Sequence, residues 1–599
     1  MNQRQRDRGI ERRSERVLFW LGAIVLSLMM AANAFAQRAT GSISGRVVSE
    51  DGQPIPHAKV NITGVGGIKK IMAGRMDVVT DEHGNFTADK LDPAPYSITA
   101  TAPGYVLLPN EKVGGQFGAA TLKYAHVGDS VTIRMLRGGV ITGRVLNAAG
   151  EPVIGITVET TRVRDENGRP VNEQMNLNSL EFGRQTDDRG VYRIYGLAPG
   201  SYVVAVGSGA MGFSLKATPF IGRAKIYYPS ATRDTAVEVS VRSGEEASGI
   251  DIRYRIERGT AISGKISGAP TGGQMEMATT VVTMTKVGTD SLVATAIVLP
   301  MGGNNGYSFY GVPNGEYELM ATRPDMSGTD TMISAPRKIT VSGRDLTGID
   351  LALLPSSSIS GTIKLEKLAA SPAGQKCESG RDSFLDEIIL QAKPDDPNQQ
   401  SSVSQIYGAL GASAPNDKGE FTISSLRAGR HFVESQLPDE HWFIKSILLT
   451  TAAATNPTAR EAGKNGVTLK VGEKATGLAI TLAEGAAGLK GKLTGDKTPS
   501  RVRVHLLPAE PEAKDDLLRF AEVRADENGA FNFTNLTPGK YLLVARAIPD
   551  TESNDKPAKP ASWDALERAK LRKEAEAANA TVELKTCQRV ADFNLRWLK

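Results

Sequence analysis

Chemistry in this chain would have to be drawn from a small stock, since 599 residues contain six histidines, two cysteines and four tryptophans. One spacing looks metal-like: His431-Phe-Val-Glu434. Zinc needs such side chains to converge with a third ligand and a general base. The segment follows a turn at Gly429 and reads as a strand, on which positions i and i+3 face opposite ways. Only His441 and His505 follow it, so it reads as a strand pair. No Gly-x-Ser-x-Gly elbow, phosphate loop or dinucleotide fingerprint occurs. The Asp-x-x-Gly turns starting at Asp81, Asp187 and Asp526 lack the dense carboxylate run that calcium takes, and read as structural turns. The expectation is a protein that is not an enzyme and needs no cofactor or metal.

Two further groups could act without catalysis. Cys377 and Cys587 belong to no Cys-x-x-Cys or Cys/His cluster, which argues against a zinc site. They stand either as a disulfide or as two lone thiols, and an exported chain favours the bridge. A loop of that length would contribute about 5 kcal/mol by chain entropy. Tyr227-Tyr228-Pro229 and Trp442-Phe443 are read as lying in loops. There they would be candidate surfaces for stacking on a sugar or contacting a protein, the alternative being that they cover core edges.

The first 36 residues read as a secretory leader. Arg4, Arg6, Arg8, Arg12, Arg13 and Arg16 precede an apolar run from Val17 to Ala32, and Ala34 and Ala36 take the −3 and −1 positions of a cut before Gln37. The run is almost long enough to span a bilayer, so membrane contact is expected only through this segment, if uncleaved. Its removal lowers the formal net charge from +5 to about +2, which gives no reason to expect nucleic acid as a partner. The expected location is the periplasm, the outer-membrane surface or the extracellular space.

The elements that would hold these residues show a repeat. An opening strand with a central glycine recurs at Gly45, Gly143, Gly264, Gly361 and Gly491. Apolar residues alternate around each one, the period of a strand with one buried face. Next comes an Asp/Asn turn with a glycine and then an inward aromatic: Phe86, Tyr192, Tyr307, Phe421 and Phe531. Asx side chains bond their own backbone two residues on, and glycine supplies positive φ. A second turn leads to Tyr96, Tyr202, Tyr317 and Tyr541, and a closing strand pair ends each copy. Each unit has the size of a β-sandwich. Short joints favour an extended, semi-rigid string. In the last unit, a polar segment precedes a helix near 561–578, with Ser562 as its cap and Trp563, Leu566 and Leu571 as a thin apolar stripe.

Gly52-Gln-Pro54-Ile55 through Val60, with Thr80-Asp81 and Gly84-Asn-Phe86, resembles carboxypeptidase regulatory-like domains, as does Gly150 through Val158 with Thr186-Asp187. The later copies lack the Gly-x-Pro segment and resemble the family more loosely. The resemblance implies transthyretin-like (prealbumin-like) sandwiches of the carbohydrate-binding-like fold, carrying no catalytic residue. The expected fold is all-β: five tandem prealbumin-like or Ig-like sandwiches after a signal segment at 1–36. Their boundaries are 37–137, 138–256, 257–355, 356–484 and 485–599, with one short helix inserted in the last. The expected role is a non-catalytic envelope protein of adhesion or scaffold type, partnered by an envelope protein or a polysaccharide. Two alternatives stay open: a carbohydrate-binding array assisting polysaccharide use, and an accessory subunit of a carboxypeptidase-type enzyme.

Overall fold

The computed structural model describes residues 40–66, 75–107, 124–171, 184–207, 224–255, 259–268, 279–287, 292–298, 305–323, 331–368, 377, 383–396, 412–450, 459–495, 501–526, 528–549 and 559–597. The leader at 1–36 lies outside them. Among the described residues, no helix is long and apolar enough to cross a membrane.

The alternating pattern of each opening strand is realised as one buried face. Ile43, Ile141, Ile262, Ile359 and Leu489 are fully buried, and five large core clusters follow one another along the chain. In every copy the opening strand lies between two partners of its own sheet. It runs antiparallel to the aromatic strand and parallel to the closing strand. In the first copy, Gly41–Ser49 pairs with Asn85–Leu91 and with Ser130–Arg137. The fourth copy repeats this with Ser357–Glu366, Glu420–Leu426 and Lys474–Glu484, and the fifth with Ala487–Thr494, Ala530–Leu536 and Arg589–Arg596. A second antiparallel sheet covers the core, such as Met76–Val79, Lys59–Gly64 and Tyr96–Thr101 in the first copy. In the third copy the two sheets join, because Leu351–Pro355 also pairs with Met332–Ser334.

The central glycines have a common steric cause. Their cross-strand partners are the aromatics: Gly45 opposite Phe86, Gly143 opposite Tyr192, Gly264 opposite Tyr307, Gly361 opposite Phe421 and Gly491 opposite Phe531. A Cβ on Gly45 would come 2.4 Å from the Val131 carbonyl oxygen and 2.6 Å from the Phe86 ring. On Gly361 it would come 1.8 Å from the Leu478 carbonyl oxygen. The closing strand and the ring both occupy the space that a side chain would need.

Two expectations are corrected. The helix is Ala565–Ala578, capped by Asp564, whose carboxylate accepts from the Leu566 and Glu567 amides; Ser562 sits in a preceding 3-10 turn, Ala561–Trp563. An ionised carboxylate beside the positive end of the helix makes the better cap. Leu571 and Ala575 pack on Leu507, Leu542 and Val544, while Leu566 is 82% exposed and leaves the stripe. A single-turn helix, Ala462–Asn465, also lies in the fourth copy. The string is not fully extended either. The Ala414 amide donates to the Gly66 carbonyl, and Val65 and Ile389 bury each other with Tyr124 alongside. The first and fourth copies therefore touch through apolar loop ends.

Gly361→Ala is expected to destabilise the fourth copy by about 3 kcal/mol, because backbone on the closing strand cannot yield cheaply. Gly155→Ala, where nothing lies within 4 Å but φ is +70°, should cost about 1 kcal/mol. Urea unfolding of the full chain measures both.

Candidate functional site

Polar groups in each copy are consumed by local structure. Asp81 accepts from the His83 and Asn85 amides at 2.9 and 2.7 Å, Asp187 from those of Arg189 and Val191 at 2.9 and 2.7 Å, and Asp526 from those of Asn528 and Ala530 at 2.9 and 2.7 Å. Asn416 does the same with a neutral oxygen. The amides at Asn85 and Val191 hold the Asp81 and Asp187 carboxyls below the ordinary carboxylate range. These carboxylates are turn locks. The Gly-x-Pro segments have their own lock: the Thr80 hydroxyl donates to the Ile55 carbonyl and accepts from the Ala58 amide, both at 2.8 Å. Thr186 repeats this with Val153 and Ile156.

The second-turn tyrosines are buried, and each hydroxyl reaches back four residues. Tyr96 donates to the Asp92 carbonyl at 2.8 Å, Tyr202 to Ala198 at 2.6 Å, Tyr317 to Pro313 at 3.0 Å and Tyr541 to Thr537 at 2.5 Å. Such a bond pins a strand to its entry turn and is worth about 1 kcal/mol. Burial pushes the Tyr96 phenol up to about 12. In the fourth copy His431 takes the position, with Nδ1 3.1 Å from the Gly429 carbonyl oxygen. It is buried, and burial lowers its pKa from 6.5. Glu434, on the same strand Gly429–Gln436, pairs with Lys393 at 2.5 Å. His431 and Glu434 are thus committed to different neighbours. Among the described residues, no group of three or more His, Cys, Asp or Glu side chains could hold a metal.

The aromatic candidates sit elsewhere than expected. Trp442 opens a strand, Trp442–Thr450, and is 4% exposed. Its indole donates to the Ser383 hydroxyl at 3.1 Å, and that hydroxyl donates to Asp439. Asp439 also lies 3.0 Å from His441 Nδ1. The carboxylate stands between serine and histidine, so histidine has no contact through which to activate the hydroxyl as a nucleophile. Phe443 is half-buried, its backbone paired with Ala483. Tyr227 lies in the strand Ile226–Tyr227, packed on Val203 and Ala205, and Tyr228 is half-buried against the second core. Trp442 and Tyr227 are therefore core residues and not open platforms. Strand pairing, invisible to a local reading of Pro and aromatic clusters, turns them inward.

The junction of the fourth and fifth copies gathers more side chains than any pattern suggested. Cys377 and Cys587 are joined as a disulfide with Cα atoms 5.3 Å apart. Asn535 donates through Nδ2 to the carbonyls of Asp439 and Trp442 at 2.7 and 2.8 Å. Arg589 donates to the Glu440 carbonyl at 2.7 Å, and Lys559 pairs with Asp395 at 2.7 Å. Phe432 stacks on Trp563 with ring centres 4.4 Å apart, and Leu518 packs against the fourth core.

Asn535 occupies a position that sequence reading missed. Four residues after each aromatic, the backbone takes positive φ at Lys90, Gly196, Gly311, Ser425 and Asn535, and the register with the opening strand shifts there. Each is a β-bulge. Gly196 and Gly311 could have signalled it, but three other residue types at the same place hide the pattern. The bulges lie against the joints. A Cβ on Gly138 would come 2.7 Å from Gly196 Cα, and one on Gly259 2.1 Å from Gly311 Cα.

Residues 42–114 match the family model for the carboxypeptidase regulatory-like domain. The match lies in the first copy and does not include the similar segment at Gly150–Val158. No curated protein matches the chain. Solved structures with similarity include the Bacillus anthracis TIE protein, at 13% identity over 53% of this chain and 51% of that one, with a TM-score of 0.14. This chain thus spans about half the length of that protein. The minor pilin GBS52 of Streptococcus agalactiae matches at 14% identity over 36% of this chain and 98% of its own, with a TM-score of 0.19. BcpA, the major pilin subunit of Bacillus cereus, matches at 11% identity over 52% and 99%, with a TM-score of 0.12.

His431→Tyr should restore the bond made by the other four tyrosines and stabilise the fourth copy. Because the folded pKa of His431 is depressed, the native state binds fewer protons than the unfolded chain. Its stability therefore falls as pH drops below about 6.5. The variant's advantage in denaturant midpoint should widen from pH 8 to pH 5; an advantage that is constant or shrinks would contradict the assignment.

Proposed function

We propose that this chain is a non-catalytic structural protein of the cell envelope, of scaffold or adhesion type. It would be exported by its leader and built of five sandwich modules with the boundaries read from sequence. One observation carries this reading: the chemistry-capable side chains at the turns, the corners and the joints are bound to backbone or to a neighbouring module. Short joints add to it. Gly138 alone separates Ser130–Arg137 from Gly139–Leu146, and Ser356 alone separates Leu351–Pro355 from Ser357–Glu366. Such joints suit a spacer that holds its ends at a set separation.

The test replaces His431, His441 and His505 together by glutamine in a deletion strain. Full rescue of the deletion phenotype is expected, with the protein digested by protease added outside the cytoplasmic membrane. Loss of rescue by a variant that still folds would contradict the non-catalytic reading.

A polysaccharide-binding role has one specific observation in its favour. Tyr195 and Tyr310, each three residues after the core aromatic of its copy, are 53% and 50% exposed. If they stack on sugar rings, glycan-array binding by the wild-type chain should fall at least tenfold in Tyr195→Ala/Tyr310→Ala. Unchanged binding, or none by the wild type, would remove this reading.

A further inference from the structure

We propose that the Cys377–Cys587 disulfide is a mechanical shunt, which carries tension past the fourth and fifth modules and leaves the second and third to yield first. The proposal deepens the structural reading above and rests on it.

The geometry begins with the strands that bring the chain into and out of each module. These are parallel neighbours in one sheet, so tension between the ends of a module draws them in opposite directions along their own axes and shears the hydrogen bonds between them. The bonds are then loaded together instead of being peeled one at a time. Resistance should scale with the length of unbroken pairing. That length differs among modules. In the first, Ser44 to Ser49 pair continuously with Ser130 to Met135. In the fourth, Ser358 to Glu366 pair with Lys474 to Ala483 across one shift. In the fifth, Gly488 to Thr494 pair with Arg589 to Arg596. The second is interrupted: its two short runs, Val140–Ile141 with Glu246–Ala247 and Val145–Leu146 with Ile252–Arg253, are linked by a single bond from the Ile250 amide to the Thr142 carbonyl. The third is interrupted too, with a short run of Ile266–Ser267 with Leu351–Ala352, a bridge of Ile262 with Leu346, and one bond between them from the Ile349 amide to the Ser263 carbonyl.

The disulfide then changes the route of the load. Cys377 follows the opening strand of the fourth module, which ends at Glu366. Cys587 precedes the closing strand of the fifth, which begins at Arg589. Tension entering through Ser357–Glu366 crosses the S–S bond and leaves through Arg589–Arg596. The 210-residue separation between the cysteines spans most of both modules, and that stretch stays off the load path. The Asn535, Arg589 and Lys559 contacts across the junction hold the two modules together while it is unloaded.

The test is single-molecule force extension of the full chain held at its two ends, with and without a thiol reductant. In the oxidised chain, the second and third modules should open at lower force than the first. No step should release the residues between the cysteines. Reductant, or Cys377→Ser/Cys587→Ser with folding checked by circular dichroism, should add about 70 nm of contour length, the reach of 210 residues at about 3.4 Å each. An oxidised chain that already releases this length would overturn the proposal. So would a reduced chain that gains none, or a first module that opens before the second and third. An intact shunt in a protein whose loss leaves the envelope unaffected would count against the structural role alone; a missing shunt with that role intact would count against this proposal alone.

Discussion

The structure depends on one steric arrangement: a glycine in the opening strand, an aromatic ring folded over it from one neighbour, and a carbonyl of the other neighbour facing the place where its Cβ would be. In the second and third copies the aromatic is tyrosine, and its hydroxyl donates to that strand, Tyr192 to the Ile250 carbonyl and Tyr307 to that of Ile349, both at 2.5 Å. In the others it is phenylalanine, and packing alone closes the gap. The opening strand thus pairs with segments far along the chain on both sides. Its glycine lets the closing strand approach and gives the ring a floor. Non-local pairing of this kind has a high entropic cost before it is rewarded, and the buried ring and the isoleucine or leucine two residues before the glycine offset it.

From that pairing follow the other repeated parts. The aromatic strand must return to the joint after passing the glycine, and the bulge four residues beyond the ring turns it there. Where the bulge is glycine, backbones touch at the joint. Where it is Asn535, a left-handed backbone aims a carboxamide at two carbonyls of the preceding module. One local geometry serves as a spacer contact in the second and third copies and as a clamp in the fifth. The disulfide and the stacking of Trp563 on Phe432 strengthen the same junction, which makes the C-terminal pair the most fastened part of the described chain.

Much of this was legible in the residues, and the reasons differ by element. The alternation around Gly45 and its counterparts gave the strands, and the Asx turns and the aromatics after them gave the inward faces, because both are local signals with short periods. The strand setting of His431 and Glu434 followed from spacing. The burial of Trp442 and Tyr227 did not, because it depends on which distant strand each one joins. The bulges were hidden because positive φ at Lys90, Ser425 and Asn535 is imposed by register and not by residue type. The contact between Gly66 and Ala414 was illegible for the same reason: nothing in either segment names the other.

Hydrogen–deuterium exchange of the native chain, read by peptide mass spectrometry, tests the central arrangement most directly. The account predicts that the slowest-exchanging amides of the first, fourth and fifth copies include the opening strands Gly41–Ser49, Ser357–Glu366 and Ala487–Thr494, because each is paired at length on both edges and shielded by its aromatic. Gly139–Leu146 and Thr260–Ser267, with interrupted pairing on one edge, should still exchange more slowly than the Asx turns. Opening strands that exchange as fast as the Asx turns, or slow exchange confined to the second sheets, would contradict it.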